Sequence, residues 1–518
     1  MDYQRNETNA ASTALLFTLL FLALFALHLP LLHLPYFWDE AGYYVPAARD
    51  LWLTGSLIPH STPSNAHPPL VLVFLALCWK VAGYAPTVTR TAMLLVAAFS
   101  LTGFFRLAHQ VSNFHIAIAA TITTGLYPVF FAQSSLAHVD LAAAGLTFWG
   151  LHSYIAEKRI STAVWFSLAV LAKETAVLAP LALLGWEIVS RFFLKNSTSK
   201  DRRPSFSLLL PCLTLAIWYG YHYRQTGFVF GNPDFFRYNV ADTLQPLRIV
   251  LALLLRLWQI FGYLNLYFLA IAMLLAMFRP PLRDATGERP RISRQAQFVF
   301  LAVTVVYVLA MAVVGGAVLA RYMLPVVPLV ILVAVSTLRR RVRYWNAVVG
   351  IVCLGFVAGW FVNPPYGFSL EDNLAYRDYV ELHQRAEDFL EARYPMSRVL
   401  TAWPASDELT RPYLGYVTRP MRVVRIEDFS AEQVISAAEI SSSFDVALVF
   451  STKYEPPRTL LSRWGRWQEW KTRFFGYHRD IPPEAAAQVL GGQLIYTEFR
   501  KGQWVGVIEM QRIYDAKR

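Results

Sequence analysis

Along the first two-thirds of this chain, long apolar blocks alternate with short polar segments. Over the last third, apolar runs shrink to strand length between dense charges. About 20 consecutive apolar residues suffice to cross a bilayer. The blocks therefore predict membrane helices over roughly 12–31, 89–106, 114–131, 140–156, 161–173, 175–191, 207–223, 249–278, 298–319, 322–338 and 345–362, about eleven crossings. The first block has no Asp, Glu, Lys or Arg from Ala11 to Trp38. It lacks a clearly basic flank and a small-residue cleavage site, so it reads as a retained span rather than a signal peptide. The pair around Lys173 is either two spans or one long bent helix. A further apolar stretch, 68–84, is short and carries Lys80, so we read it as an interfacial helix on the outer surface.

Basic residues set the orientation. Arg106, Lys158 and Arg159, the stretch from Arg191 through Arg203, Arg279 to Arg294, and the run Arg339, Arg340, Arg341, Arg343 all fall in one set of alternate loops. The positive-inside rule makes that set cytoplasmic. It leaves the N-terminus inside and the first loop, 32–88, outside. Residues 365–518 are also outside. Runs such as Arg398–Trp403 and Phe444–Phe450 have strand length there, and a helical stretch, Asp372–Arg393, precedes them. The expected architecture is an all-α polytopic membrane domain, 1–364, followed by a small external α/β domain, 365–518.

Composition agrees. Charged residues make up 16% of the 518, against roughly 25% in soluble domains. The net charge of +12 lies in loops between spans, which argues against nucleic acid as a partner. Cys78, Cys212 and Cys353 all lie in apolar stretches and form no disulfide or zinc framework. No phosphate-cradling Gly-rich loop and no Ser-His-Asp signature is present.

Ionisable residues in or beside apolar sequence are costly and mark function by default. Five places qualify. Asp39 and Glu40 in YFWDEAGYY follow the first span, and are either acid–base or cation-holding groups or an ordinary solvated span end. His67 leads HPPL and could bind phosphate, orient a carboxylate or sit on the surface. Asp140, with His138 before it, opens a span, as a functional acid or a helix-start acid. Lys173 and Glu174 interrupt a long apolar stretch. Arg321 and Tyr322 stand between two apolar runs, where Arg suits phosphate and the alternative is snorkelling. All five fall on the external side of the orientation above. Basic groups there could hold a lipid-borne phosphate while a carboxylate activates a hydroxyl. A transporter or flippase of lipid-linked sugars is the alternative, but it would show internal repeats and helices broken at the midplane. A receptor or scaffold would leave Lys173 and Glu174 unexplained.

In this order and sidedness the five motifs resemble the GT-C superfamily of membrane glycosyltransferases, particularly the protein O-mannosyltransferases and the lipid A aminoarabinose transferase. The resemblance covers about residues 12–340. It implies a sugar donor on a polyprenyl phosphate and an inverting transfer at the external face of a bacterial cytoplasmic membrane. It further implies Asp39 as general base, Glu40 as the residue orienting it or the acceptor, and Lys173 and Arg321 beside the donor phosphate. His67 matches the histidine leading the mannosyltransferases' HPP segment, and Asp140 matches a second acidic site. Two departures stand out. The external domain is C-terminal rather than inserted as in the mannosyltransferases. Ala66-His67 also replaces the Glu-Lys that precedes the proline in the aminoarabinose transferase, so a divalent cation is compatible with the site but not required by it. The acceptor stays open.

The orientation is testable. A reporter active only outside the cytoplasm should work when fused after Arg518 and stay silent when inserted in the Ser197–Pro204 loop. The opposite pattern would invert the topology.

Overall fold

In the computed structural model, residues 10–193, 205–285, 287–456 and 464–511 are described. The basic stretch Lys195–Arg203 and the chain end at Arg518 lie outside them. The chain forms two compact units, Met1–Leu32 with Ala47–Gly359, and His33–Pro46 with Trp360–Arg518.

The first unit is mostly helical, and most of each expected apolar run falls on helix. Among the described residues, four stretches are long and apolar enough to span by length and composition: Ala10–Leu31, Pro86–Val111, Pro246–Met277 and Arg294–Val313. Such a chain is an integral membrane protein. Lys173 is extended (φ −154°, ψ 134°) and separates the helix Arg159–Ala172 from a 3-10 turn, Glu174–Val177, and the helix Leu178–Phe193. The charged pair therefore sits at a true break, not in a bent helix. The run expected as one crossing over 249–278 is also divided, into Pro246–Phe261 and Leu266–Met277. Leu264 (φ 45°) and Asn265 (φ 71°) take left-handed conformations at that joint. Hydropathy averages over such a joint because all its neighbours are apolar.

Leu70–Ala82 has 13 residues. At 1.5 Å rise it measures about 20 Å, short of the ~30 Å hydrocarbon core. Val71, Leu72, Leu75, Ala76 and Trp79 are buried on one face, while Leu77 and Val81 are exposed on the other.

Without a hydrophobic drive between helices in lipid, close backbone approach matters most. The helix Asp140–Ile155 lies against Pro86–Val111 so tightly that a Cβ on Gly145 would overlap the Ser100 hydroxyl. Two of the basic segments, 279–294 and 339–343, meet. The hairpin β1 (Arg283–Asp284) and β2 (Gly287–Glu288) adjoins the end of the helix Val327–Arg341, where Leu282 donates its N–H to the Arg340 carbonyl (2.8 Å) and Arg340 pairs with Glu288 (3.1 Å).

The second unit carries a five-stranded mixed sheet in the order β4-β3-β5-β7-β6. Its strands are β3 (Arg398–Ala402), β4 (Arg422–Ile426), β5 (Val446–Phe450), β6 (Gly492–Arg500) and β7 (Gln503–Met510). β3 pairs parallel with β4 and with β5, in the register Val399↔Val446 for the latter. β7 runs antiparallel to β5 and β6. All five residues of β5 are buried, as expected of a central strand covered on both faces. The helix Ala375–Arg393 contributes Tyr379, Leu382, Ala386 and Leu390 to this core.

The segment 33–46 is built into the same unit by aromatic contacts. Phe37 meets Tyr379 edge-on (5.2 Å), and Trp38 meets Trp403 (5.2 Å) and Tyr379 (5.7 Å). Tyr416 donates to the Tyr36 carbonyl (3.0 Å). Gly42 is required here, since a Cβ would come within 2.6 Å of the Trp403 ring.

Gly42→Val should therefore displace Trp403 and destabilise by about 1–3 kcal/mol, as overpacking does. Thermal unfolding in detergent, read by tryptophan fluorescence, checks this; an unchanged midpoint would remove the constraint.

Candidate functional site

In the first unit, charges that belong to distant sequence meet inside the apolar helices. Asp140 begins the helix Asp140–Ile155 and Lys173 follows the helix Arg159–Ala172. These two helices pack side by side, so the start of one and the end of the next lie together. Asp140 Oδ1 is 2.5 Å from Lys173 Nζ, and Oδ2 is 3.2 Å from Arg321 Nε. All three side chains are at most 6% exposed. A lone buried charge would cost several kcal/mol, so the triad holds together because each charge has an opposite. Lys173 Nζ also lies 3.9 Å from the centre of the Tyr322 ring, a cation–π contact that fixes the ammonium's direction.

Asp140 thus lies between two cations. Two further buried guanidinium groups belong to the same surroundings. Arg256 lies 5.5 Å from the Tyr322 ring, and Arg90 acts electrostatically on His138, as do Arg321 and Lys173. His138 stands between Arg321 Nη1 (3.1 Å) and Gln133 Oε1 (2.8 Å). A preorganised group of cations of this kind is suited to an anion such as a phosphate.

The segment that delivers Arg321 and Tyr322 is held by its backbone. Arg248, Arg256 and Gln259 lie on one face of the helix Pro246–Phe261. Arg248 Nη2 donates to the carbonyls of Gly315 (2.6 Å) and Gly316 (3.1 Å). Arg256 donates to those of Met311 (3.1 Å) and Leu319 (2.7 Å), and Gln259 to that of Val318 (2.8 Å). Arg256 Nη2 has no hydrogen-bond partner among the described residues.

His67 and Glu174 form a second pair, 2.8 Å apart, with Glu174 a quarter exposed. The loop before His67 is tied to the helix Leu210–Thr226: Trp218 donates to the Ala66 carbonyl (2.8 Å), and Ser64 bonds His222 (2.8 Å). Ala66 is left-handed (φ 56°).

Asp39 and Glu40 belong to the second unit. Glu40 is fully buried, and its Oε2 accepts the Phe37 N–H (2.9 Å), closing the turn that carries Asp39. Trp38, directly before Asp39, has φ 45°. Left-handed backbone at a bulky residue costs on the order of 1–3 kcal/mol and concentrates at functional positions. Trp38 and Ala66, two of the residues with left-handed backbone, each immediately precede a residue singled out from sequence. Burial, then the charges of Asp39 and Asp407, push the Tyr43 phenol up from its ordinary pKa.

The structure thus brings Asp140, Lys173, Arg321 and Tyr322 into one cluster and His67 and Glu174 into another. Sequence reading passed over Arg90, Arg248, Arg256 and Gln259. The arginines did carry a signal, since each is a charge at or within an apolar run.

Among solved structures, the chain is similar to ArnT, the lipid A aminoarabinose transferase, from Cupriavidus metallidurans bound to undecaprenyl phosphate. Identity is 13%, the alignment covers 96% of this chain and 98% of that one, and the TM-score is 0.52. The apo form of the same protein aligns with 13% identity, the same coverage and a TM-score of 0.51. The oligosaccharyltransferase AglB from Archaeoglobus fulgidus, in complex with an inhibitory peptide and a dolichol-phosphate, aligns at 10% identity over 96% of this chain and 74% of that one, with a TM-score of 0.48. No family model and no curated protein sequence matches. At this identity the likeness is one of fold, and the fold is that of ArnT.

Asp140→Asn removes the carboxylate shared by Lys173 and Arg321, and should destabilise by about 3–5 kcal/mol. Glu174→Gln, in a partly exposed pair, should cost far less. Thermal unfolding of both variants in one detergent checks the order. Equal losses would mean that Asp140 is not the counter-ion holding the cluster.

Proposed function

We propose that this chain is a membrane glycosyltransferase that moves a sugar from a polyprenyl-phosphate carrier to an acceptor hydroxyl, with inversion, at the external face of a bacterial cytoplasmic membrane. The observation that carries the reading is the buried cluster of the cations Lys173, Arg321 and Arg256 around Asp140, set in an apolar helical unit. A fold shared over nearly the whole length of ArnT, whose structure contains undecaprenyl phosphate, supports a lipid-borne phosphate as the anion.

In this reading Asp39 takes the proton of the acceptor hydroxyl as its oxygen attacks the anomeric carbon. The bond from that carbon to the phosphate oxygen breaks, and the polyprenyl phosphate leaves with the electron pair. A single displacement inverts the anomeric centre. Lys173 and Arg321 stabilise the charge that grows on the phosphate, where preorganised donors contribute most. Tyr322 directs Lys173, and Asp140 keeps both cations charged and in place. Glu40 shapes the turn that presents Asp39, through its bond to the Phe37 N–H. His67 and Glu174 bind substrate as a pair. No step in this reading is routed through a metal. Residues 1–364 are the transferase part and 365–518 the external part. The meeting of the basic segments 279–294 and 339–343 supports that sidedness.

Asp39→Asn should lower sugar transfer by about 10²–10⁴-fold, since Asn keeps the shape but cannot accept a proton. Lys173→Ala and Arg321→Ala should each weaken donor affinity by about ten- to a hundred-fold through loss of a charge-assisted contact. The measurement is release of polyprenyl phosphate from a panel of polyprenyl-phosphate sugars by purified, monodisperse variants. Near-native transfer by Asp39→Asn would remove it as base, and unchanged donor dependence in both cation variants would make the cluster structural.

A further inference from the structure

The second unit holds another group of ligating side chains, far in sequence from those above. His383 and Glu387 are four residues apart on the helix Ala375–Arg393 and so lie on one face of it. Glu408 comes from the short helix Ala405–Thr410, which follows β3. His383 Nδ1 is 2.7 Å from a Glu408 oxygen and 3.7 Å from a Glu387 oxygen. One ligand atom from each residue lies within 4.8 Å of the others. Glu387 and Glu408 are wholly buried and His383 is 1% exposed.

Two carboxylates buried side by side cannot both stay charged unless a cation neutralises them. Neither oxygen of Glu387 has a hydrogen-bond partner among the described residues, nor has Oε1 of Glu408. Two buried carboxylates facing one imidazole, with Glu387 no closer than 3.7 Å to it, make a donor set that a cation would complete. Metal–nitrogen and metal–oxygen bonds of about 2.0–2.2 Å place tetrahedral ligand atoms roughly 3.3–3.5 Å apart. The separations of 2.7 and 3.7 Å bracket that value. A nitrogen with carboxylate oxygens in a small dry space suits zinc, and the second oxygen of Glu387 can complete the coordination.

The ring walls have a further effect. His383 stacks on Tyr379 (3.9 Å) and meets Phe450 edge-on (4.5 Å). Tyr379 in turn contacts Phe37 and Trp38, directly before Asp39. A cation fixing His383 would therefore stiffen the aromatic bed of the segment that carries Asp39.

We propose that His383, Glu387 and Glu408 form a structural site for a divalent transition-metal ion of the zinc class, buried within the C-terminal unit. The site is closed to substrate because all three ligands are buried, so its role is to brace and not to react. The experiment uses full-length protein in detergent. Elemental analysis of chelator-free preparations should find about one zinc per chain. Protein stripped with a chelator should regain a thermal midpoint several degrees higher on adding Zn²⁺ alone. Glu387→Gln, which preserves shape, and His383→Ala should each lower zinc affinity by at least about tenfold. Three results would overturn the site: no bound metal together with no thermal response to Zn²⁺; a zinc equivalent that persists with unchanged affinity in both variants, which would place it elsewhere; or Glu387→Gln melting at or above the wild-type temperature regardless of Zn²⁺, which would mark a carboxyl pair sharing a proton. None of these readouts depends on glycosyl transfer.

Discussion

Charge inside an apolar unit is the constraint on which the rest of this molecule turns. Asp140, Lys173 and Arg321 are each nearly inaccessible, and none could persist alone in that surrounding. Their mutual pairing fixes where the start of Asp140–Ile155, the break after Ala172 and the segment before Val327 must meet. The extended Lys173 follows from the same demand: a helix continuing through it would carry the ammonium around the axis and away from Asp140. Tyr322 then occupies the position from which its ring faces the ammonium. Local geometry, packing and electrostatics of the cluster are therefore one problem with one solution.

The second unit solves a different problem. Its parallel strands β3, β4 and β5 place their following segments at one edge of the sheet, and Trp403, Asp407 and Glu408 all come from the segment after β3. That edge receives the segment 33–46, whose own sequence is too short to fold alone. Aromatic rings supply the adhesion, and the left-handed Trp38 is tolerated because Tyr379 and Trp403 hold its ring from two sides. Asp39 owes its position to residues more than three hundred places away in the chain.

Much of this was legible before any coordinates. Apolar block length marked the helices, and charges within or beside those blocks marked Asp140, Lys173 and Arg321, because burial makes such residues expensive without a partner. Which charge pairs with which was not legible. The pairing Lys173–Asp140 depends on two helices lying side by side, and the residues adjacent in sequence, Lys173 and Glu174, in fact face different partners. The joint at Gly262–Asn265 was invisible because hydropathy does not register φ. Arg248 and Arg256 were passed over, since their partners are carbonyl oxygens, which no side-chain pattern encodes. The group His383, Glu387 and Glu408 was hidden in a stretch dense with ordinary surface charge.

The grip on the segment 315–319 has a bearing on how such a protein can change over time. Arg248, Arg256 and Gln259 hold carbonyl groups that every residue possesses, so the position of Arg321 is indifferent to which side chains stand at Ala317 and Val318. Those two positions can drift, and with them the shape and polarity of whatever lies beside the cluster, while the cations keep their places. Substrate preference could diversify there by single substitutions without first dismantling the charge constellation. The conserved cost falls instead on three polar side chains of a neighbouring helix, where replacement would release the whole segment at once.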